Sequence, residues 1–189
     1  MTPARSSGIP ARSIRLDNGL QVIARENRAA RSVGLRVVLE AGCAFDPPGK
    51  EGTAALLSDL LDRGAGSLPA EVIAEGFEFL GASYVAHARR DTLDVEIRLL
   101  SEHLPQILDR LRLLLVEPTF PEEEVRREKE SALTAIAERE QDTASVAEET
   151  LAAALFPAGH PYRSPRLGTR ESVRGIGRDD LRAFHRARV

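Results

Sequence analysis

A chain of 189 residues is long enough to enclose one substantial hydrophobic core and too short for two domains of ordinary size. Apolar residues make up 42% and charged residues 29%, with no run of like charge, which excludes the disordered and fibrous classes. The net charge of -3, with arginines interspersed among acids, argues against nucleic acid as a partner and against a membrane surface held by charge alone.

Met1 to Ser13 carries Arg5 and Arg12 but no continuous apolar segment, so no signal peptide is read there, and residues 1–12 are expected to form a flexible lead. Leu111 to Val116 is too short and too closely flanked by charge to span a bilayer. The default expectation is a cytoplasmic protein. Cys43, the one cysteine, cannot form an internal disulfide and lies in an apolar stretch, so it reads as a buried structural thiol.

Two alternating runs, Ser13 to Leu16 and Leu20 to Ala24, flank Asp17-Asn18-Gly19, a turn sequence that tolerates positive φ and predicts a hairpin. Ser32 to Ala41, rich in β-branched residues, reads as a third strand. Leu56, Leu57, Leu60 and Leu61 then recur at helical spacing up to Gly64, which is expected to supply a left-handed C-terminal cap. Pro69 opens a second helix that ends near Gly81. Ser83 to His87 and Thr92 to Leu99 return to strand patterning and predict a second hairpin. Leucines resume helical periodicity from Glu102 to Val116, and a long helical region is expected from Pro121 to about Leu155, its first turn enriched in Glu122, Glu123 and Glu124. Phe156 to Gly168 reads as loop and Arg178 to His185 as a short last helix. The class is α+β, a mostly antiparallel sheet packed by several helices.

Three segments together resemble the N-terminal domain of the M16 metallopeptidases, the pitrilysin, insulinase and mitochondrial-processing-peptidase family: Leu16 to Val22, Gly49 to Gly66, and His160-Pro161-Tyr162 followed by Leu167-Gly168-Thr169. Asp180 to His185 also resembles the family. The resemblance implies a LuxS/MPP-like domain over residues 13–189, and a second, similar domain that this chain does not contain.

Active members of that family carry His-x-x-Glu-His on the helix matching Gly52 to Arg63: two imidazoles one turn apart hold zinc and the glutamate activates its water. Alignment on the flanking glycines and leucines puts Ala55 at the first histidine, Ser58 at the glutamate and Asp59 at the second histidine. The third ligand, a glutamate on a later helix, falls at Ala135, and Glu128 matches an acid two turns before it, a remnant of the second shell. The resemblance therefore implies no zinc and no catalytic residue. Ala55, Ser58, Asp59 and Asp62 are expected to keep a small polar face opposite the leucines. Asp59 and Glu128 offer two oxygen ligands, well short of what calcium requires.

The four histidines have ordinary readings: His87 in a hairpin, His103 at a helix start, His160 in a loop and His185 in the last helix, at spacings too wide for a local zinc motif. Gly175-Ile176-Gly177 lacks the strand and further glycine of a nucleotide fingerprint. Active relatives often carry Asn near Val85 on an edge strand that holds extended substrate. Here Ser83, Tyr84, Val85, Ala86 and His87 lose that amide, although strand pairing relies mainly on backbone groups. The resemblance implies a non-catalytic subunit or domain. Its partners would be a zinc-bearing homologue or its own second domain, a second copy of the chain, and an extended peptide in the shared chamber. The alternatives are a scaffold subunit of a non-proteolytic complex and a divergent active metallopeptidase.

Overall fold

The computed structural model describes residues 11–189, and the chain divides into two compact units after Ser32. In the first, β1 (Arg12–Arg15) pairs antiparallel with β2 (Gln21–Ala24), Ile14 opposite Val22. The turn closes as Asp-Asn-Gly predicts: Gly19 donates to the Leu16 carbonyl at 2.9 Å with φ at 88°. β1 begins at Arg12, one residue before the expected domain start, and the rest of the expected lead, residues 1–10, lies outside the described residues.

The second unit is built on a three-stranded sheet. Its first strand, β3 (Ser32–Leu39), is followed by α1 (Thr53–Leu60) and by the two-residue strands β4 (Gly64–Ala65) and β5 (Leu68–Pro69), which pair with each other. Next come α2 (Ala70–Phe79), β6 (Ser83–Ala88) and β7 (Leu93–Leu100). The chain ends in five helices: α3 (Leu104–Val116), α4 (Glu122–Arg139), α5 (Thr143–Leu155), α6 (Arg170–Gly175) and α7 (Arg178–Arg188). The sheet order is β3-β7-β6, and β6 pairs antiparallel with β7 from Ser83 opposite Arg98 to Ala88 opposite Leu93. β7 therefore lies between the other two, and its Leu93, Val95, Ile97 and Leu99 are buried. No helix among the described residues is long and apolar enough to cross a membrane.

Two sequence expectations give way. Gly64 is not the cap of α1: that helix ends in right-handed geometry at Leu61, and Gly64, at φ 148°, lies in β4 with Thr119 and Pro121 against its Cα. The long helix is two helices, because Asp142 accepts the Ser145 amide at 2.8 Å and starts α5 afresh. Periodicity cannot register such a break where the residues around it, Arg139 to Thr143, are all polar. α6 lies between the expected loop and the expected last helix and carries no expectation, since six residues are too few to show a period; a Thr169–Ser172 capping box secures it.

Two carboxylates, one buried and one half-buried, organise the unit. Asp94 on β7 is closed off from solvent and accepts from Arg36 of β3 at 2.7 Å and from Arg89. Burial alone would raise its pKa, but these guanidinium hydrogen bonds hold it below the usual carboxylate range. Asp46 accepts from the amides of Gly52 and Ala54 at 2.7 and 2.8 Å, satisfying donors that the start of α1 would otherwise bury unpaired.

Gly168 is the tightest approach in the fold. At φ 74°, a Cβ there would stand 2.0 Å from the Glu51 carbonyl oxygen, whereas a Cβ on Gly159, at φ 83°, would meet nothing within 4 Å. Gly168→Ala is therefore expected to cost about 3 kcal/mol or more through combined backbone strain and overpacking, and Gly159→Ala about 1 kcal/mol. Denaturant unfolding of the two variants checks the difference; equal losses would remove the role given to this contact.

Candidate functional site

α1 is held on several sides, packing on β6, α4 and α7. Lys50, just before it, donates to the Gly175 carbonyl at 2.5 Å and pairs with Asp180 at 2.8 Å. Ser172 donates to the Glu51 carbonyl at 2.7 Å. α4 is tied to the same corner through Lys129, which donates to the carbonyls of Arg174 and Ile176 at 2.9 and 2.6 Å.

On this frame, the degenerate positions part company. Ala55 and Ser58 are buried, 5% and 4% exposed, and the Ser58 hydroxyl donates to the Ala55 carbonyl at 2.7 Å. This corrects the expectation of a polar face: a methyl and an internally bonded hydroxyl are small enough to be covered at no polar cost. Asp59 is exposed and Asp62 half-buried. Ala135 is half-buried on α4 and contributes no donor atom.

Glu128 does not stand free as a remnant ligand. Its Oε1 accepts from the Arg63 guanidinium at 3.2 Å, so an arginine from the end of α1 already neutralises it. Although Asp59 keeps contact with solvent, partial desolvation by the protein packed around it, and then the like charge of Glu128, push its carboxyl up to about 6, against the opposing influence of Arg166, His87 and Arg63. The structure thus gathers Asp59, Glu128, Arg63, His87 and Arg166 at one face. Of these, the sequence singles out neither Arg63 nor Arg166, and it offers His87 only as part of the peptide-edge strand. Arg166 comes from a distant loop and His87 from a strand, and neither shares a spacing pattern with α1.

Zinc requires at least three protein donors in a tetrahedral set. Here one of the two carboxylates is ion-paired, and among the described residues no group of three or more His, Cys, Asp or Glu is placed to hold a metal. The residues present do not fit the ion.

β6 is an outer strand of the three-stranded sheet. Ser83, Val85 and His87 are exposed, while Tyr84 and Ala86 turn to the other face and are half-buried. Tyr84 packs on the Phe77 ring at 5.3 Å between centroids, and its hydroxyl is buried without a partner. Burial and the nearby Asp62 push that hydroxyl well above its ordinary pKa. Cys43 is buried and raised to about 12 by desolvation, which makes it an inert thiol at neutral pH. His160 accepts the Tyr162 amide at 3.1 Å through Nδ1, and His185 lies 2.8 Å from the Leu115 carbonyl through Nε2, so both are engaged locally.

The raised Asp59 carboxyl sets a direction for pH dependence. A folded-state pKa above the unfolded value of 3.8 means that the ionised group destabilises the fold at neutral pH; the penalty is fully present above about 6 and is relieved as pH falls towards 3.8. Asp59→Asn should therefore stabilise the protein by about 1 kcal/mol at pH 7, a figure reduced because Asp59 is exposed, and should give no gain near pH 4. Thermal unfolding of both proteins across that range measures it; a constant difference would exclude titration of Asp59 as the cause.

The sequence profile of Insulinase (Peptidase family M16) matches residues 21–170. An uncharacterized zinc protease of Rickettsia bellii is 26% identical over 170 residues, covering 90% of this chain and 41% of that protein. The non-peptidase homolog YmxG of Helicobacter pylori is 28% identical over 161 residues, 85% of this chain and 37% of that protein. Among solved structures, the peptidase M16 inactive domain from Pseudomonas fluorescens superposes with a TM-score of 0.87 at 28% identity, covering 93% of this chain and 42% of that one. Pitrilysin, at 23% identity and a TM-score of 0.80, shares the fold. The chain spans about two fifths of the length of the curated relatives it matches. A profile matched over most of the chain, on an α+β fold shared with solved M16 domains, shows that this chain belongs to the M16 peptidase family.

Proposed function

We propose that this chain is a non-catalytic M16 domain that works beside a zinc-bearing M16 partner, or beside its own second domain, to enclose a chamber for extended peptides. The observation that carries this reading is the joint replacement of the donor positions: Ala55 and Ser58 are buried, Ala135 has no donor, and Arg63 occupies Glu128. Loss of one ligand could accompany an altered metal site. Absence of a donor at Ala55 and Ala135 together, with Asp59 the one aligned carboxylate left and a guanidinium on Glu128, leaves too few ligands for a metal-activated water.

The names of two similar proteins, a non-peptidase homolog and an inactive domain, support the non-catalytic reading. The outer strand β6, with its exposed Ser83, Val85 and His87, supports a role in holding peptide by backbone pairing. A scaffold role in a non-proteolytic complex is the second reading. It is favoured by the likeness to cytochrome b-c1 complex subunit 1 of mouse, 26% identical over 167 residues.

The purified chain is expected to hold less than a tenth of an equivalent of zinc, on the order of background for a site without ligands, and to leave unstructured peptides intact. Elemental analysis with a peptide-cleavage assay tests this; one tightly held zinc and chelator-sensitive cleavage would overturn it. Mixing with an M16 homologue that keeps His-x-x-Glu-His separates the two readings. The chamber reading predicts a stable complex that cleaves peptide faster than the homologue alone, and the scaffold reading predicts no change in rate.

A further inference from the structure

A cavity of about 290 Å³ opens between α5 and the loop that precedes α6. Four guanidinium groups line it, those of Arg90, Arg139, Arg163 and Arg166, against the two carboxylates of Glu148 and Glu149, an excess of two positive charges. Arg139 pairs with Glu149 at 2.6 Å. Among the described residues, Arg90, Arg163 and Arg166 pair with no carboxylate; each is pinned to the backbone instead. Arg90 donates to the Ser164 carbonyl at 2.7 Å and lies over the Tyr162 ring at 5.4 Å. Arg163 donates to the carbonyls of Ala153 and Phe156, the latter at 2.8 Å, and Arg166 donates to the Ala88 carbonyl at 3.3 Å. Neutral carbonyls fix these side chains without cancelling their charge. A guanidinium has five N–H donors, so each retains several for a ligand.

Ala88 is the last residue of β6, and Arg89 and Arg90 follow it directly, so the cavity begins where the outer strand ends. We infer that this cavity is a subsite for the carboxylate of an acidic residue in an extended peptide paired along β6. The inference rests on the chamber reading above and adds the class of peptide. A carboxylate is the group that a pinned guanidinium receives best, through paired N–H donors, and a free small anion would lack the backbone pairing that β6 supplies.

The test uses short, unstructured, fluorescently labelled peptides that differ only in one Glu moved along the sequence, each with a Gln twin, and reads anisotropy with the whole chain. For at least one Glu position, binding should be about tenfold or more tighter than for its Gln twin, the range of one charge-assisted pair. Arg90→Gln with Arg166→Gln should abolish that preference and leave the Gln peptide's affinity in place, whereas Arg112→Gln on α3 should leave both unchanged. Equal binding of Glu and Gln peptides at every position would overturn the subsite while sparing the chamber reading. Binding of neither would overturn both. Saturation by inorganic phosphate alone, with no Glu preference among the peptides, would make the cavity a free-anion site and also overturn the assignment.

Discussion

The contact on which the second unit depends is the clamp at the start of α1. Asp46 receives the amides of Gly52 and Ala54, Lys50 reaches the α6–α7 corner, and Gly168 comes so close to the Glu51 carbonyl that no side chain fits between them. The first of these is local, while the other two join residues more than a hundred positions apart, and together they fix the position of α1 against α4, β6 and α7. A helix of eight residues has little stability of its own. Its position is set by these attachments and by Leu56, Leu57, Leu60 and Leu61, which are at most 1% exposed.

The clamp involves none of Ala55, Ser58, Asp59 or Ala135, so the frame does not depend on the side chains at those positions. Ala55 and Ser58 accept burial since neither leaves a polar group unpaired: the one polar atom involved bonds within its own helix turn. Glu128 lies between helices, where an unpaired carboxylate would be costly, and Arg63 supplies the positive charge there. Asp59 has no such dedicated partner, and its raised pKa records the difference. At this face an arginine balances Glu128 and leaves Asp59 without an ion-pair partner.

The same arginine chemistry recurs at the end of β6. Arg90 and Arg166 hold the loop before α6 against the hairpin by bonding to backbone carbonyls, Arg163 ties the same loop to the end of α5, and together they leave a positive lining in a cavity beside an outer strand. Structural tethering and ligand recognition need not compete in arginine, whose planar fork can serve a carbonyl on one edge and a carboxylate on another.

Local chemistry was enough to read the N-terminal hairpin from Asp17-Asn18-Gly19, the β6–β7 pair from alternation, α1 from its leucines and the family from the order of three segments. The alignment of Ala55, Ser58, Asp59 and Ala135 with the family's metal site is what the resemblance implies, and it remains an expectation. The break at Asp142, the strand role of Gly64 and the existence of α6 were not legible, because each is decided by a single cap or a distant neighbour rather than by a repeating pattern. Burial of Ala55 and Ser58, the pairing of Arg63 with Glu128, and the meeting of four arginines from separate segments belong to the tertiary structure alone. Side-chain type limits which partners a residue can accept, but only the packing of elements distant in sequence decides which partner it meets.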